Sequence, residues 1–295
     1  MSGSRVVVIG DVVNDIVVIP RGPVRPDTDT ASTIRPRSGG SAANTAAWLG
    51  SLGAEVDFVG AVGMADAAVH EQTFRDTGVV PYLQLGTGLP TGTIVILVDG
   101  EHRTMLTERG ANATLESSSV TEELLAEAGV LHISGYSILD GFGIPGARDL
   151  IGRAAAAGVP VSVTPGSAGY LGDFGVRPFL DAIEGVTIVF PNLAEGRLMS
   201  GETDPHKIGA VLRTRFEVVV LTMGAEGLIV FEGDTATPVP APVVQHLVDP
   251  TGAGDALAAG FLENWVISRD AVAAARAGAF VAARAIMLVG GRPPI

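Results

Sequence analysis

The sequence predicts an α/β fold: one large, mostly parallel sheet covered by helices on both faces, with a small β-sheet lid beside it. Three observations carry this. From about Ser118 onward, strand-like apolar runs alternate regularly with helix-like stretches, the pattern of linked βαβ units. The first run, Arg5-Val6-Val7-Val8-Ile9-Gly10, is continuous and β-branched, as a strand buried on both faces requires. Two hairpin-like segments interrupt the first half of the chain and supply strands that the alternation does not use.

In order, strand 5–10 leads into Asp11, Asp15 and the apolar Val12-Val13 and Ile16–Ile19. The polar, proline-rich Pro20 to Pro36 then reads as a hairpin excursion that leaves the main sheet and returns. Gly39-Gly40-Ser41 opens a helix of small residues that ends near Gly50 or Gly53, with Ser38 or Ser41 able to cap it. Strand 55–60, a helix from Asp66 to Thr77 and strand 79–85 follow. Thr93–Val98 and Arg103–Thr107 flank Asp99-Gly100, the strongest hairpin signal in the chain. The two hairpins, about 12–37 and 91–109, are expected to form a lid inserted in a single domain spanning 1–295. Then come helix 119–127, strand 129–133, helix 144–157, strand 159–163, a further helical turn, strand 186–190, helices near 192–200 and 205–214, and strand 217–222. A hairpin around Glu232-Gly233-Asp234 and helices 252–266 and 269–288 close the chain.

Composition narrows the function classes. The net charge is −13, which argues against nucleic acid and anionic membranes as partners. Cysteine is absent, so thiol catalysis, disulfides, zinc–thiolate sites and iron–sulfur clusters are excluded. No apolar run reaches the ~18 residues of a membrane span, and the run after Arg5 is too short for a signal segment; a cytoplasmic protein is expected. Lys207 is the only lysine, which rules out a P-loop of the GxxxxGK[ST] type. Any triphosphate must be handled by backbone N–H groups, arginine and metal. The histidines (His70, His102, His132, His206, His246) are scattered and lack metal-ligand spacing.

The stretch that carries most chemistry is Asp249-Pro250-Thr251-Gly252-Ala253-Gly254-Asp255. Two glycines at a helix start let the backbone approach an anion with its N–H groups exposed. Asp255 cannot clamp a phosphate, because like charges repel. It can take the proton of a hydroxyl that attacks phosphorus. A Gly-rich turn with no ligand is the plainer alternative. Asp11, Asp15, Gly39-Gly40, Asn192, Thr222 and 249–255 all follow predicted strands or open helices, so they can converge at the carboxyl edge of the sheet.

Together these residues resemble a ribokinase-family (PfkB-type) carbohydrate kinase over nearly the whole chain. Asp249–Asp255 with Gly260-Phe261 is similar to the C-terminal signature of that family. Gly39-Gly40-Ser41-Ala42-Ala43-Asn44 with Leu49-Gly50 and Gly53 resembles its N-terminal signature. Gly10-Asp11 with Asp15, Pro191–Glu195, and Leu221–Gly224 with Gly227 resemble its substrate, NxxE and nucleotide segments. The resemblance implies a ribokinase-like fold and an ATP-dependent transfer of the γ-phosphate to a hydroxymethyl group. Asp255 would be the general base, and the Gly252, Ala253 and Gly254 N–H groups an anion hole. Asp15, Gly39, Gly40, Asn44, Tyr136 and Arg109 would meet the substrate. Asn192, Thr222, Gly224, Gly227 and Gly254 would meet the nucleotide. Glu195 would hold Mg²⁺ through water, and Asp249 and Thr251 a monovalent cation, K⁺.

The sequence departs from that pattern in places. Ser41 stands where ribokinases proper carry a lysine, and Tyr136 where they carry a sugar-reading glutamate; both weaken a ribose assignment. Arg109 aligns loosely with an arginine that binds the substrate carboxylate in ketodeoxygluconate kinases. Acceptors therefore stay open: a sugar, a nucleoside of the adenosine or pseudouridine type, or a sugar acid. A catalytically silent sugar or nucleotide sensor is the alternative of another class. A dinucleotide oxidoreductase is disfavoured, since no GxGxxG follows the first strand. A homodimer through the lid is also expected, because Ile94, Ile96 and Val98 alternate as a half-buried strand would.

Overall fold

In the computed structural model, residues 4–99 and 102–294 are described. Strands β1 (Arg5–Ile9), β4 (Val56–Gly63) and β5 (Val79–Gly86) pair in parallel on one side of the main sheet. The small sheet takes β2 (Val13–Pro20) and β3 (Ser32–Gly39) before β4, and β6 (Gly92–Asp99) and β7 (His102–Glu108) after β5. The main sheet continues with β8 (Ala128–Ser134), β9 (Val161–Thr164), β10 (Ile188–Val189), β11 (Val218–Thr222), β12 (Leu228–Glu232) and β13 (Thr235–Val239). Its order is β13-β12-β11-β10-β9-β8-β1-β4-β5. All pairs are parallel except the closing hairpins β11–β12 and β12–β13.

The helices are α1 (Ser41–Ser51), α2 (Ala67–Asp76), α3 (Glu122–Glu127), α4 (Gly135–Asp140), α5 (Gly143–Ala156), α6 (Ala168–Phe174), α7 (Val176–Ala182), α8 (Leu193–Ser200), α9 (Pro205–Leu212), α10 (Ala253–Ser268) and α11 (Ala271–Ala285). They form two layers, which explains the unbroken β-branched runs. Val6, Val8, Val218 and Val220 pack into one core with α1, α10 and α11. Their strand neighbours Val7, Ile9, Val219 and Leu221 pack into the other core with α3, α5, α7 and α9. A strand with a core on each face has no polar side to alternate with. No helix among the described residues is long and apolar enough to cross a membrane.

The sequence reading differs from the structure in its details. The excursion placed at Pro20–Pro36 is the tip of a longer hairpin whose strands start at Val13 and return to Gly39. Pro36 is tolerated because β3 is the edge of its sheet. The stretch 119–127 is a 3₁₀ turn at Ser117–Ser119 followed by a helix that Thr121 caps. The single turn expected between β9 and β10 is two helices, α6 and α7, joined at a left-handed Gly175. Strand 186–190 shortens to two residues. Gly100 of the predicted Asp99-Gly100 turn lies outside the described residues.

Two polar staples root the small sheet. Asn112 accepts the Val12 N–H (3.0 Å), donates to the Val12 carbonyl (2.7 Å) and also donates to the Arg109 carbonyl (3.1 Å). Asp66 accepts from Asn14 at the start of β2 and from Thr91 just before β6. The small sheet, ordered β3-β2-β6-β7, is thus pinned where both hairpins leave the main sheet.

Candidate active site

The main sheet reverses its build direction between β1 and β8. One half of the chain adds β4 and β5 outward from β1, and the other adds β9, β10 and β11 outward from β8. Ligands of open α/β sheets bind beyond the carboxyl ends of the strands at such a point. A cavity of about 480 Å³ lies there, between the small sheet and the main sheet. It is lined by Asp15, Gly40, Asn44, Arg109, Tyr136, Asn192, Glu195, Thr222, Thr251, Gly252, Ala253, Gly254 and Asp255, all of them residues singled out above.

Two helix N-termini face each other across its floor. Asp11, directly after β1, caps α1: its carboxylate accepts the Ser41 N–H (2.7 Å), the Ala42 N–H (3.2 Å) and the Ser134 hydroxyl (2.8 Å). Opposite, Gly252 takes a left-handed conformation (φ 76°) and starts α10, which lacks a side-chain cap. The first N–H groups of a helix have no partner within it. That of Ala253 makes a long bond to the Pro250 carbonyl (3.3 Å).

Asp255, in the first turn of α10, bridges the two helices. One oxygen accepts the Ser41 hydroxyl (2.7 Å) and the other the Asn44 amide (2.9 Å). The residue is half-buried and lines the cavity. Burial pushes its pKa up to about 7, the bonds from Asn44 and Ser41 oppose this, and Asp11 and Asp15 add to it. The Asn44 Oδ1 is buried without a partner.

Asp15 enters from β2. Burial raises its pKa to about 6, with Arg292 opposing and Asp11 and Asp249 adding. Gly39 does not line the cavity. It makes room for Asp15: a Cβ there would lie 2.1 Å from Oδ2. Gly40 lets α1 close on β1, since a Cβ would lie 2.3 Å from the Asp11 carbonyl. Farther up the wall, the Arg109 guanidinium lies 5.0 Å from the Tyr136 ring and 4.5 Å from the Tyr170 ring. Its Nε is 2.7 Å from Asp140, a close ion pair without hydrogen-bond alignment. Burial raises the Tyr136 phenol to about 12.

Toward the opening, Asn192 and Glu195 form a reciprocal capping box on α8, at 3.0 and 2.9 Å. Glu195 is buried, and burial raises its pKa to about 7 despite the N–H of Asn192. Thr222, at the end of β11, bridges to Asn192. Gly224 is exposed with open space where a Cβ would point, but it does not line the cavity. Gly227, expected to meet the nucleotide, does not line the cavity either. It is buried, and a Cβ would meet the Val239 carbonyl at 2.3 Å, so the turn into β12 is what demands a glycine there. Asp249 lies behind the cavity, where it accepts the Thr251 N–H (2.9 Å) and the Gly290 N–H (3.0 Å).

Sequence reasoning passed over Tyr170, Asp140 and Arg292 as site residues. The first two sit in α6 and α4, helices that were not predicted as such, and Arg292 sits in a terminal Gly-Gly-Arg-Pro-Pro stretch with no pattern to mark it. From sequence, Ser41 reads as a helix cap and as a departure from the family pattern, and Asp11 as part of the substrate segment; their contacts with Asp255 and with the start of α1 require the fold.

The chain is similar to known proteins over almost its whole length. The model of a family described as pfkB family carbohydrate kinase matches residues 4–295. An uncharacterized sugar kinase of Archaeoglobus fulgidus is 27% identical over 246 residues, 83% of this chain and 96% of that protein. An ATP-dependent ribose-1-phosphate kinase of Halopiger xanaduensis is 27% identical over 260 residues, 83% of this chain and 80% of that one. The crystal structure of adenosine kinase from Sinorhizobium meliloti superposes with a TM-score of 0.88 at 25% identity, covering 100% of this chain and 97% of the other.

Proposed function

The chain belongs to the pfkB family of carbohydrate kinases, and from that premise we propose that it transfers the γ-phosphoryl group of ATP to a hydroxymethyl group of a sugar or sugar-like acceptor. The observation that carries the reading is the placement of Asp255. It directly follows the left-handed Gly252 turn, sits near the Asn44 amide and holds a proton with an affinity close to neutral. In this mechanism the acceptor hydroxyl displaces Ser41 or Asn44 from Asp255 and gives up its proton to the carboxylate. Its oxygen bonds to the γ-phosphorus, the bond to the bridging oxygen breaks, and ADP leaves. The Gly252, Ala253 and Gly254 backbone faces the charge that develops. Asp15 and the unpartnered Asn44 Oδ1 accept from the remaining acceptor hydroxyls, with Gly40 giving them backbone access. Asn192, Thr222 and Gly224 face the nucleotide.

The cation sites fit the donors present. Among the described residues no three acidic or histidine side chains converge as a metal cage. That suits Mg²⁺, which takes most of its ligands from phosphate and water. Glu195 would hold it through water, and the ion would neutralise charge on the β- and γ-phosphates. Asp249 accepts the two N–H bonds given above, one from its own loop and one from Gly290. Asp249 and Thr251 would hold K⁺. A cytoplasmic location and a homodimer through the small sheet complete the proposal.

A second acceptor reading is a nucleoside. Ile94, Ile96, Met105, Tyr136 and Phe190 line the cavity. A hydroxyl left facing such a wall without a partner costs about 1–3 kcal/mol, whereas a planar base stacks on it. The deciding experiment is an ADP-release screen over sugars, nucleosides, sugar acids and phosphorylated sugars, run with and without Mg²⁺ and with K⁺ replaced by Na⁺ or choline. One acceptor class should give turnover well above ATP hydrolysis, lost without Mg²⁺ and reduced without K⁺. Tight nucleotide binding with transfer to none of them would establish the silent sensor instead.

A further inference from the structure

The segment after α11 runs back through the active site. The Gly290 N–H donates to Asp249, and the Gly291 carbonyl accepts the Trp48 indole N–H of α1 (2.9 Å). A Cβ on Gly252 would lie 2.5 Å from Gly291 Cα, and a Cβ on Gly291 would lie 2.3 Å from the Asn44 amide. Two residues thus touch the candidate cation loop, the anion-binding turn and the acceptor helix.

Arg292 comes next. Its Nη2 donates to the Gly39 carbonyl (3.0 Å), and its guanidinium stands 5.0 Å from the Phe74 ring. Nε and Nη1 are buried without a hydrogen-bond partner. Leaving charged donors unpaired in the interior is costly, so something nearby must offset it. The carboxylates whose charge reaches Arg292 are Asp15 and Asp11. Asp11 already serves α1 and Ser134. Asp15 is left, packed against the Gly39 that Arg292 holds.

We propose that Arg292 is a positioning residue for acceptor recognition: from behind the Gly39–Gly40 turn it supplies the counter-charge of Asp15 and fixes the turn against which that carboxylate rests. This rests on the reading that the cavity takes a hydroxyl-bearing acceptor. Asp15 must meet hydroxyl donors as a carboxylate, and its surroundings work against that. Asp11 and Asp249 both push its pKa up, and Asp255 lies on the floor of the same cavity. Arg37 pairs with it across β3 but is exposed, and His70, buried and held neutral in part by Arg292, contributes no charge. Arg292 is the cation that opposes the acids.

The test replaces Arg292 by Met, Gln and Lys and follows two readouts. The first is the ¹³C carboxyl titration of Asp15, assigned with Asp15→Asn. Arg292→Met should move its midpoint up by about one unit or more, and Arg292→Lys by less. The second is the acceptor KM as a function of pH. Arg292→Met should raise it about twofold at pH 7 and about fivefold at pH 6, the deficit vanishing as pH rises. Nucleotide KM should hold, and Arg292→Met should add nothing in an Asp15→Asn background. An unmoved Asp15 titration overturns the proposal. So does a KM defect that persists in Asp15→Asn, or one shared by nucleotide and acceptor, which would mark a purely structural strap. Should Arg292→Met fail to fold, the Lys and Gln variants read the same titration. The titration needs no turnover, so its failure is separate from failure of the kinase reading.

Discussion

A carboxylate works best as a base toward an alcohol when its own proton affinity lies near the working pH, and Asp255 has been brought there by burial against two neutral donors. Three carboxyls around the cavity are shifted this way: Asp15 to about 6, Glu195 and Asp255 to about 7. Activity on the proposed acceptor should therefore rise with pH through that range, because each group acts in its ionised form. Stability runs the other way. A carboxylate with a raised folded pKa binds a proton more tightly folded than unfolded. The fold therefore loses stability as pH rises from the unfolded value near 4 to the folded value near 7. Asp255→Asn should lower kcat about 10²- to 10⁴-fold while nucleotide still binds. It should also raise Tm at about pH 8 and leave it nearly unchanged at about pH 4. Retained turnover would remove Asp255 as the base, and a Tm gain equal at both pH values would remove the burial argument. Asp255 was legible in the sequence because glycines frame it. Its partners were not: Ser41 lies 214 positions away, and only the fold joins them.

At the scale of elements, the facing N-termini of α1 and α10 make the site, and their glycines are not equivalent. From sequence alone Gly252 is the obvious place to block an anion. The structure shows that even a methyl group there collides with Gly291, in a left-handed conformation that disfavours any side chain. Loss of activity at Gly252 would therefore confound phosphate exclusion with a displaced strap. Gly254 is the cleaner probe, since it lies inside α10 with nothing within 4 Å of a Cβ. Gly254→Ala should keep or slightly raise Tm, since alanine favours a helix by about 1 kcal/mol over glycine, while lowering kcat. Unchanged kinetics would sink the anion-hole assignment. Legibility follows the same physics. Strands with a core on both faces announce themselves as β-branched runs. The short α4, α6 and α7 are interrupted by Gly135, Gly169, Gly172, Gly175 and Pro178, and they have no long amphipathic period to read. Tyr136 and Tyr170, whose rings pack edge to face 5.5 Å apart beside Arg109, come from two of these helices.

For the whole molecule, the open question is what covers the small sheet. Of Ile94, Ile96 and Val98, the residues that suggested a dimer face from sequence, Ile94 and Ile96 turn toward the cavity along with Met105. The opposite face is apolar too. Register places Ile16 beside Pro36 and Val95, Val95 beside Leu106, and Val18 beside Ile34 and Leu97. Ile34 is 61% exposed and Leu106 62%, too much apolar surface for a four-stranded sheet to leave bare at no cost. A second copy of the same sheet would be a self-complementary cover, and it would tie lid geometry in one protomer to that of its partner. The net charge of −13 acts against this, because two such chains repel. The two forces are separated by salt. An apolar contact between like-charged chains tightens as salt screens the repulsion, whereas one held by ion pairs would loosen. Sedimentation should therefore show a dimer that strengthens from low to high salt, and Ile34→Glu with Leu106→Glu should return a folded monomer. A wild-type monomer at every salt concentration would remove the dimer, and a dimer unmoved by the double substitution would place the partner surface elsewhere.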